Sequence, residues 1–236
     1  MSGIFGMNIK MAIYGESHGK SIGVVLDGLP PGLALDEAAI AAEMARRAPG
    51  QNALSTARKE SDMVEIQSGF FNGFTTGTPL CARIVNSDQH SKDYSILADK
   101  MRPGHADYAG HVRYQGFNDY RGGGHFSGRL TAPLVFAGAV AKQALAQYGI
   151  VVGSHILQIN DIKEECFNPM GVSDKALTAR MRKSLRLWMM LSAQKCRSAF
   201  CRLRASLTAW AVLLKPLHCI CLRASAHRIL IPWKAC

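Results

Sequence analysis

The chain has 236 residues, of which 48% are hydrophobic, enough for one sizeable core or two small ones. Its formal charge of +11 invites a nucleic-acid reading, but most of the chain excludes one: residues 1–174 hold 15 Lys+Arg against 17 Asp+Glu, while residues 175–236 hold 13 Lys+Arg and no acid. No apolar run reaches the eighteen residues of a transmembrane helix, and Met1-Ser-Gly-Ile-Phe-Gly-Met-Asn-Ile-Lys10 lacks the basic and apolar segments of a signal peptide, which points to the cytoplasm.

In chain order, Ile13-Tyr-Gly-Glu-Ser-His-Gly19 leads into Ser21-Ile-Gly-Val-Val-Leu-Asp27, a β-branched run that predicts a strand. Gly28-Leu-Pro-Pro-Gly32 breaks it. Asp36 is placed to cap a helix running to about Arg47, with Ile40 and Met44 on its inner face, and Ala48-Pro49-Gly50 ends that helix. Alternation of Val64 and Ile66 with polar neighbours predicts a half-buried strand over 60–66. A turn is expected at Phe74-Thr-Thr-Gly77, a strand over 80–85, and polar loops at Asn86-Ser-Asp88 and Ser91-Lys-Asp-Tyr94. The strongest helix signal covers 130–148, with Pro133 in its first turn and Gly149 at its C-terminal end. On it Leu134, Gly138, Ala141 and Leu145 form a stripe suited to close packing. A strand is expected over 150–159. Short strands and helices mix without a βαβ repeat, so the class is α+β rather than doubly wound.

Two stretches concentrate chemistry. Arg102-Pro-Gly-His-Ala-Asp-Tyr108 and Asp119-Tyr-Arg-Gly-Gly-Gly-His-Phe-Ser-Gly-Arg129 together hold three arginines, two histidines, two aspartates and five glycines. A glycine triplet lets backbone N–H groups approach a ligand or adopt positive φ. Feeding a helix N-terminus, it makes an anion site, and flanking arginines can grip phosphate or carboxylate in a forked geometry. His105, between a Pro-Gly turn and an aspartate, suits proton transfer near neutral pH. Taken singly, a glycine triplet is more often a flexible loop and His105 an ordinary hydrogen-bonded histidine. Their density together favours a site for an anionic ligand.

The segment from about Lys175 differs. All 22 glycines lie at or before Gly171, and all three tryptophans lie after it. Five of the seven cysteines (Cys196, Cys201, Cys219, Cys221 and Cys236) also lie there, at spacings that match no zinc pattern. An odd cysteine count without a secretion signal argues against a disulfide framework.

Seven motifs occur in order: Gly15-Glu-Ser-His-Gly19, Asp27-Gly-Leu-Pro-Pro-Gly32, Arg46-Arg-Ala-Pro-Gly50, Phe74-Thr-Thr-Gly-Thr-Pro79, Asn86-Ser-Asp88, Arg102-Pro-Gly-His-Ala-Asp-Tyr108 and Asp119-Tyr-Arg-Gly-Gly-Gly124. Together they closely resemble the chorismate synthase family, over about residues 9–182. The resemblance implies a helical layer between antiparallel sheets, incomplete at the C-terminus, and a homotetramer at full length. It implies a lyase of aromatic amino acid biosynthesis that removes phosphate from 5-enolpyruvylshikimate 3-phosphate by anti-1,4-elimination, giving chorismate. The implied cofactor is reduced FMN, with NADPH as a second candidate. No metal, nucleic acid or membrane partner is implied.

By the family pattern His18 is the proton donor to the departing phosphate and His105 the residue that protonates or steadies the flavin. Arg47, Arg102 and Arg129 bind substrate. Arg47, His125, Phe126 and Ser127 line the cofactor site, with Arg47 near a substrate or nicotinamide phosphate. Without the family, His18 would read as a loop histidine capping a turn. Two positions depart from the commonest pattern. His125-Phe126-Ser127 stands where most members have Arg-Ser-Ser, and Ala53 where many carry a further phosphate-binding arginine, which weakens nicotinamide binding.

The resemblance divides the chain into a family-like segment, residues 1–182, and a non-matching basic tail, residues 183–236. The abrupt change suggests a frameshift near residues 178–190. On that view the chain is a truncated relative that folds poorly and does not turn over. A third alternative is a basic module whose tail binds nucleic acid or anionic lipid.

Overall fold

A computed structural model describes residues 3–48, 62–87, 97, 99–154, 171 and 173, with the backbone of 158–159, 162–163, 219–223 and 228–232. The chain divides into two compact units, Met1–Gln143 and Ala144–Cys236. No helix among the described residues is long and apolar enough to cross a membrane.

The first unit is built on a five-stranded antiparallel sheet. Its strands are β1 (Ile4–Phe5), β2 (Lys10–Gly15), β3 (Ser21–Asp27), β4 (Val64–Ser68) and β7 (Leu80–Val85), in the order β1-β2-β3-β7-β4. Between β4 and β7 lies a small hairpin of β5 (Phe70–Phe71) and β6 (Phe74–Thr75). The expected turn at 74–77 therefore falls earlier, at Asn72-Gly73, where both residues have positive φ. Glycine and asparagine tolerate that conformation better than Phe74 or Thr75 would. The strand expected over 60–66 runs instead over Val64–Ser68.

Alternation sets the buried face of the sheet. Ile22, Val24 and Leu26 of β3 lie opposite Ile84, Ala82 and Leu80 of β7, and all six are at most 4% exposed. On the other face Arg83 pairs with Glu65 across the strands at 2.6 Å.

Two helices carry the rest of this core. Helix α1 (Glu37–Arg47) starts where the Asp36 carboxylate accepts hydrogen bonds from the N–H groups of Ala38 and Ala39, and it buries Ile40 and Met44, as expected. Helix α3 (Thr131–Ala146) buries Ala132, Pro133, Phe136, Ala137, Ala139 and Val140. Gly149, with φ +67°, closes its C-terminal end as expected, its N–H donating to Ala146 O at 3.0 Å. The stripe expected to pack closely does not: Leu134, Gly138 and Ala141 are exposed. The helix is apolar nearly all round, and the face carrying Phe136, its largest side chain, turns inward because it removes more area from water.

The two helices run antiparallel. Gln143 grips Asp36 by both its backbone N–H (2.7 Å) and its C=O (3.0 Å), and Lys142 pairs with Glu43 at 2.9 Å. At the other end, Arg47 donates to Gly128 O at 3.4 Å. The end of α1 therefore lies beside the start of α3. A short helix, α2 (Asp107–Arg113), lies between β7 and α3 in the chain.

In the second unit β8 (Val151–Gly153) pairs antiparallel with β11 (Cys219–Arg223), which pairs with β12 (Arg228–Pro232). A further hairpin joins β9 (Gln158–Ile159) to β10 (Ile162–Lys163). The strand expected over 150–159 is thus two short strands, and the tail contributes a hairpin that its irregular pattern did not announce. Helices with antiparallel sheets bear out the α+β class. Ala53 and residues 91–94 lie outside the described residues.

Candidate acid–base and anion site

The site grows from three loops, two of them at the ends of the central strands of the first sheet. Residues 16–19 join β2 to β3, and in them Ser17 and His18 are only 1% and 4% exposed. Asn86 follows β7. Its amide N–H groups donate to Glu16 O at 3.1 Å and Gly19 O at 2.9 Å, and its backbone N–H to Lys20 O at 3.2 Å. The third loop carries Gly122, Gly123 and Gly124, with φ of 58°, 84° and 53°. That left-handed backbone costs an L side chain roughly 1–2 kcal/mol per residue.

Two of the three glycines face a histidine. A Cβ on Gly122 would sit 2.4 Å from His18 Cδ2 and 2.6 Å from its Nε2. One on Gly123 would sit 2.7 Å from His105 Cε1 and 2.9 Å from its Nε2. The triplet is thus a floor on which both expected histidines converge, and Gly124 O accepts Ser17 N–H at 3.1 Å. Its own amides are partly committed, since Gly123 N–H donates to Tyr120 O at 3.2 Å. The steric role of these glycines is accordingly firmer than the anion-cradling role the sequence suggested.

His105 is oriented by Asp107. Its Nδ1 lies 2.6 Å from Asp107 Oδ1 and 3.3 Å from the Arg102 guanidinium. A carboxylate only accepts and a guanidinium only donates, so the closer contact fixes the proton on Nδ1 and leaves Nε2 towards the glycines. Arg102 donates to Asp107 from Nε (2.8 Å), from its terminal nitrogen (3.0 Å) and from its backbone N–H (3.1 Å). These bonds hold the Asp107 carboxyl at a pKa of about 2 against the opposing effect of burial.

The other two arginines converge on Asp62, which the sequence did not single out. Its carboxylate, fully buried, pairs with Arg47 from α1 on one oxygen and with Arg129 on the other. Arg129, 4% exposed, also donates from Nε to Asn86 Oδ1 at 3.1 Å. The shared carboxylate offsets part of the cost of burying the two guanidiniums, and the net positive charge that remains attracts an anion.

The cofactor candidates lie just after the triplet. His125 Nδ1 donates to Gly15 O at 2.9 Å, and Phe126 is 39% exposed, its ring 6.2 Å from that of Tyr114. Ser127 Oγ accepts Arg129 N–H at 3.3 Å, capping the turn that leads into α3. Nearby, Glu16 and Asp119 lie close enough to perturb each other, and Asp119 accepts from Arg121 at 2.7–3.0 Å. Burial and the Asp119 charge push the Glu16 carboxyl up, while hydrogen bonds from Arg121 pull that of Asp119 down. Among the described residues no group of acidic, histidine and cysteine side chains has metal-site geometry.

All eight expected site residues thus lie in one unit. Hydrogen bonds link Arg47 and Arg129 through Asp62, and Arg129 through Asn86 to the loop of His18; the glycine floor brings His105 to the same place. Asp62, Asp107 and Asn86 were not foreseen as site residues. Asn86 and Asp107 stood inside motifs that marked them, whereas nothing local marks Asp62.

An α+β scaffold thus sets two histidines and the paired guanidiniums of Arg47 and Arg129 around a glycine floor, groups with the chemistry to bind an anion and move a proton. The family model for chorismate synthase matches residues 9–191, more than half of the chain. A chorismate synthase of Cytophaga hutchinsonii is 48% identical over 163 residues, covering 69% of this chain and 45% of that protein. One of Sulfurimonas denitrificans is 52% identical over 159 residues, covering 67% and 44%. A crystal structure of chorismate synthase superposes with a TM-score of 0.62 at 24% identity, over 85% of this chain and 55% of that one, and shows the shared fold. The chain belongs to the chorismate synthase family, a family of lyases. It spans about half the length of the curated relatives it matches.

Proposed function

We propose that the chain carries out the family's reaction, the anti-1,4-elimination of phosphate from 5-enolpyruvylshikimate 3-phosphate to chorismate. The observation that carries this reading is the convergence of His18 and His105 on adjacent glycines beside two arginines that share Asp62. The substrate has one phosphate and two carboxylates, and Arg47, Arg102 and Arg129 are the groups to hold them. His18, buried at the glycine floor, gives a proton to the departing phosphate. His105, with Nδ1 committed to Asp107, presents Nε2 as the exchanging nitrogen. A placed proton donor of this kind contributes ~10²–10⁴ in rate.

The residues present fit reduced FMN. Phe126 offers a half-exposed ring, His105 stands against the same glycine triplet, and His125 and Ser127 supply polar groups. Arg47 serves the substrate phosphate or that of NADPH, the second cofactor candidate. Reduced flavin supplies a redox-active ring to an elimination that has no net change in oxidation state. A homotetramer in the cytoplasm completes the proposal.

Residues 1–182 are taken as the family-like domain and 183–236 as a non-matching basic tail, on the loss of acid and glycine there. Sequencing codons 170–240 tests this: an open Gly-rich, acid-containing continuation in a second frame would assign the proposed turnover to the chain read in that frame, and no such frame would leave it with this chain.

The functional test is an anaerobic assay of the full chain with reduced FMN and substrate, following chorismate. Turnover in the intact chain that falls at least 10²-fold in His18→Ala and His105→Ala, with unchanged circular dichroism, is expected. A folded chain without turnover would refute the proposed activity for this chain. Full activity in either variant would refute the assigned roles.

A further inference from the structure

We propose that Asn86 is a positioning residue that couples the loop of His18 to Arg129, so that an anion held by the arginine is felt at the histidine. The inference rests on the reading above, in which both residues serve one anion site. Asn86 is 6% exposed and directly follows β7, whose last inward residue, Ile84, is 1% exposed. A residue in that place is held by the core of the sheet rather than by the loops it touches.

The chemistry of the amide is what the place requires. Gly19 O and Glu16 O, the latter already accepting Gly19 N–H at 3.0 Å, each take an N–H of the amide, and the Arg129 Nε–H takes its oxygen as acceptor. A primary amide, with two N–H bonds at one end and lone pairs at the other, serves all three at once. The same partners fix which end of the amide is oxygen, since the flipped amide would set donor against donor at Arg129 and oxygen against two carbonyls. Glu16 O and Gly19 O bracket His18, so Asn86 closes the base of the loop whose imidazole rests on Gly122. A shift of the guanidinium therefore reaches the His18 loop through one rigid planar group.

Asn86→Asp keeps an oxygen for Arg129 and sets the other, charged oxygen against two carbonyls. Asn86→Ser removes both contacts without adding charge. The probe is inorganic phosphate, and the readouts are its affinity and the ring-nitrogen NMR titration of His18 in the full chain, assigned with His18→Gln. In the wild-type chain phosphate raises the His18 titration midpoint. Asn86→Ser, which leaves the charges unchanged, is expected to keep phosphate affinity within about threefold and to lose the His18 response at saturating phosphate. In the turnover assay it lowers kcat at least tenfold while KM changes less than about threefold. Asn86→Asp loses the response and, by setting a carboxylate beside the guanidiniums, weakens phosphate as well.

A full His18 response in either variant, or a parallel loss of affinity, response and kcat in both variants at unchanged circular dichroism, would overturn the coupling while leaving the proposed function intact. A wild-type chain that binds phosphate with no response at His18 would refute the shared site, and the coupling with it.

Discussion

Replacing Gly122 by alanine tests the glycine floor directly. The added methyl meets two separate penalties. The backbone at φ 58° costs an L residue about 1–2 kcal/mol. The Cβ would also lie 2.4 Å from His18 Cδ2 and 3.1 Å from Ser17 Oγ, and at 4% and 1% exposure neither side chain can swing into water. Overpacking of this kind costs about 1–3 kcal/mol, so Gly122→Ala should lose roughly 2–5 kcal/mol. Gly123→Ala pays the same backbone penalty, but its clash is with His105, whose side chain is 29% exposed and can turn outward at the cost of its bond to Asp107, about 1 kcal/mol. Gly128 has open space around its Cβ position, so Gly128→Ala is the control and should be neutral or slightly stabilising. In urea, with a slope of roughly 2–3 kcal/mol/M, Gly122→Ala should lower the midpoint by about 1–2 M. Gly123→Ala should fall between it and the control. Equal midpoints for Gly122→Ala and Gly128→Ala, or a larger loss in Gly123→Ala, would refute the packing of the two histidines on the triplet.

Three further outcomes are expected. Asp107, lowered from 3.8 to about 2, contributes stability that is present above pH 4 and is lost as pH falls from about 4 to about 2; the contribution is about 2 kcal/mol. Asp107→Asn should flatten that part of the acid-unfolding profile, and an unchanged slope between pH 5 and pH 2 would count against the Arg102 fork. Asp62→Ala leaves two guanidiniums without their common carboxylate and should destabilise by about 3–5 kcal/mol; recovery in the double variant Asp62→Ala/Arg129→Met would confirm the cause, and a stable single variant would disprove it. Phe136, 0% exposed in the core, should cost about 3–5 kcal/mol when cut to alanine, read as a urea midpoint shift, and a loss under 1 kcal/mol would place it outside the core.

Much of the fold and part of the site were legible because their causes are local. Asp36 caps α1 with its own carboxylate two and three residues away, and the inward faces of β3 and β7 follow from alternation. The glycine triplet and its neighbouring histidines were visible as a cluster. The exposed face of α3 was not, because a helix apolar nearly all round has no preferred face until a sheet is offered to it. The turn at Asn72-Gly73 was displaced by two residues because Thr75, which looks like a turn residue, spends its hydroxyl on Pro30 O at 2.7 Å.

The sequence by itself determined the strands β3 and β7, the capped helices α1 and α3, the glycine triplet and the family, since each depends on residues within a few positions or on the order of short motifs. Tertiary structure alone decided the partners of the charges. Asp62 meets Arg129 across 67 positions, and Asn86 meets the loop of His18 across 67 to 70. The physical reason is that a carboxylate's partner depends on distance in space, and that distance is set by the register of β7 against β3 and by the pairing of α1 with α3. Periodicity and spacing along the chain do not carry it.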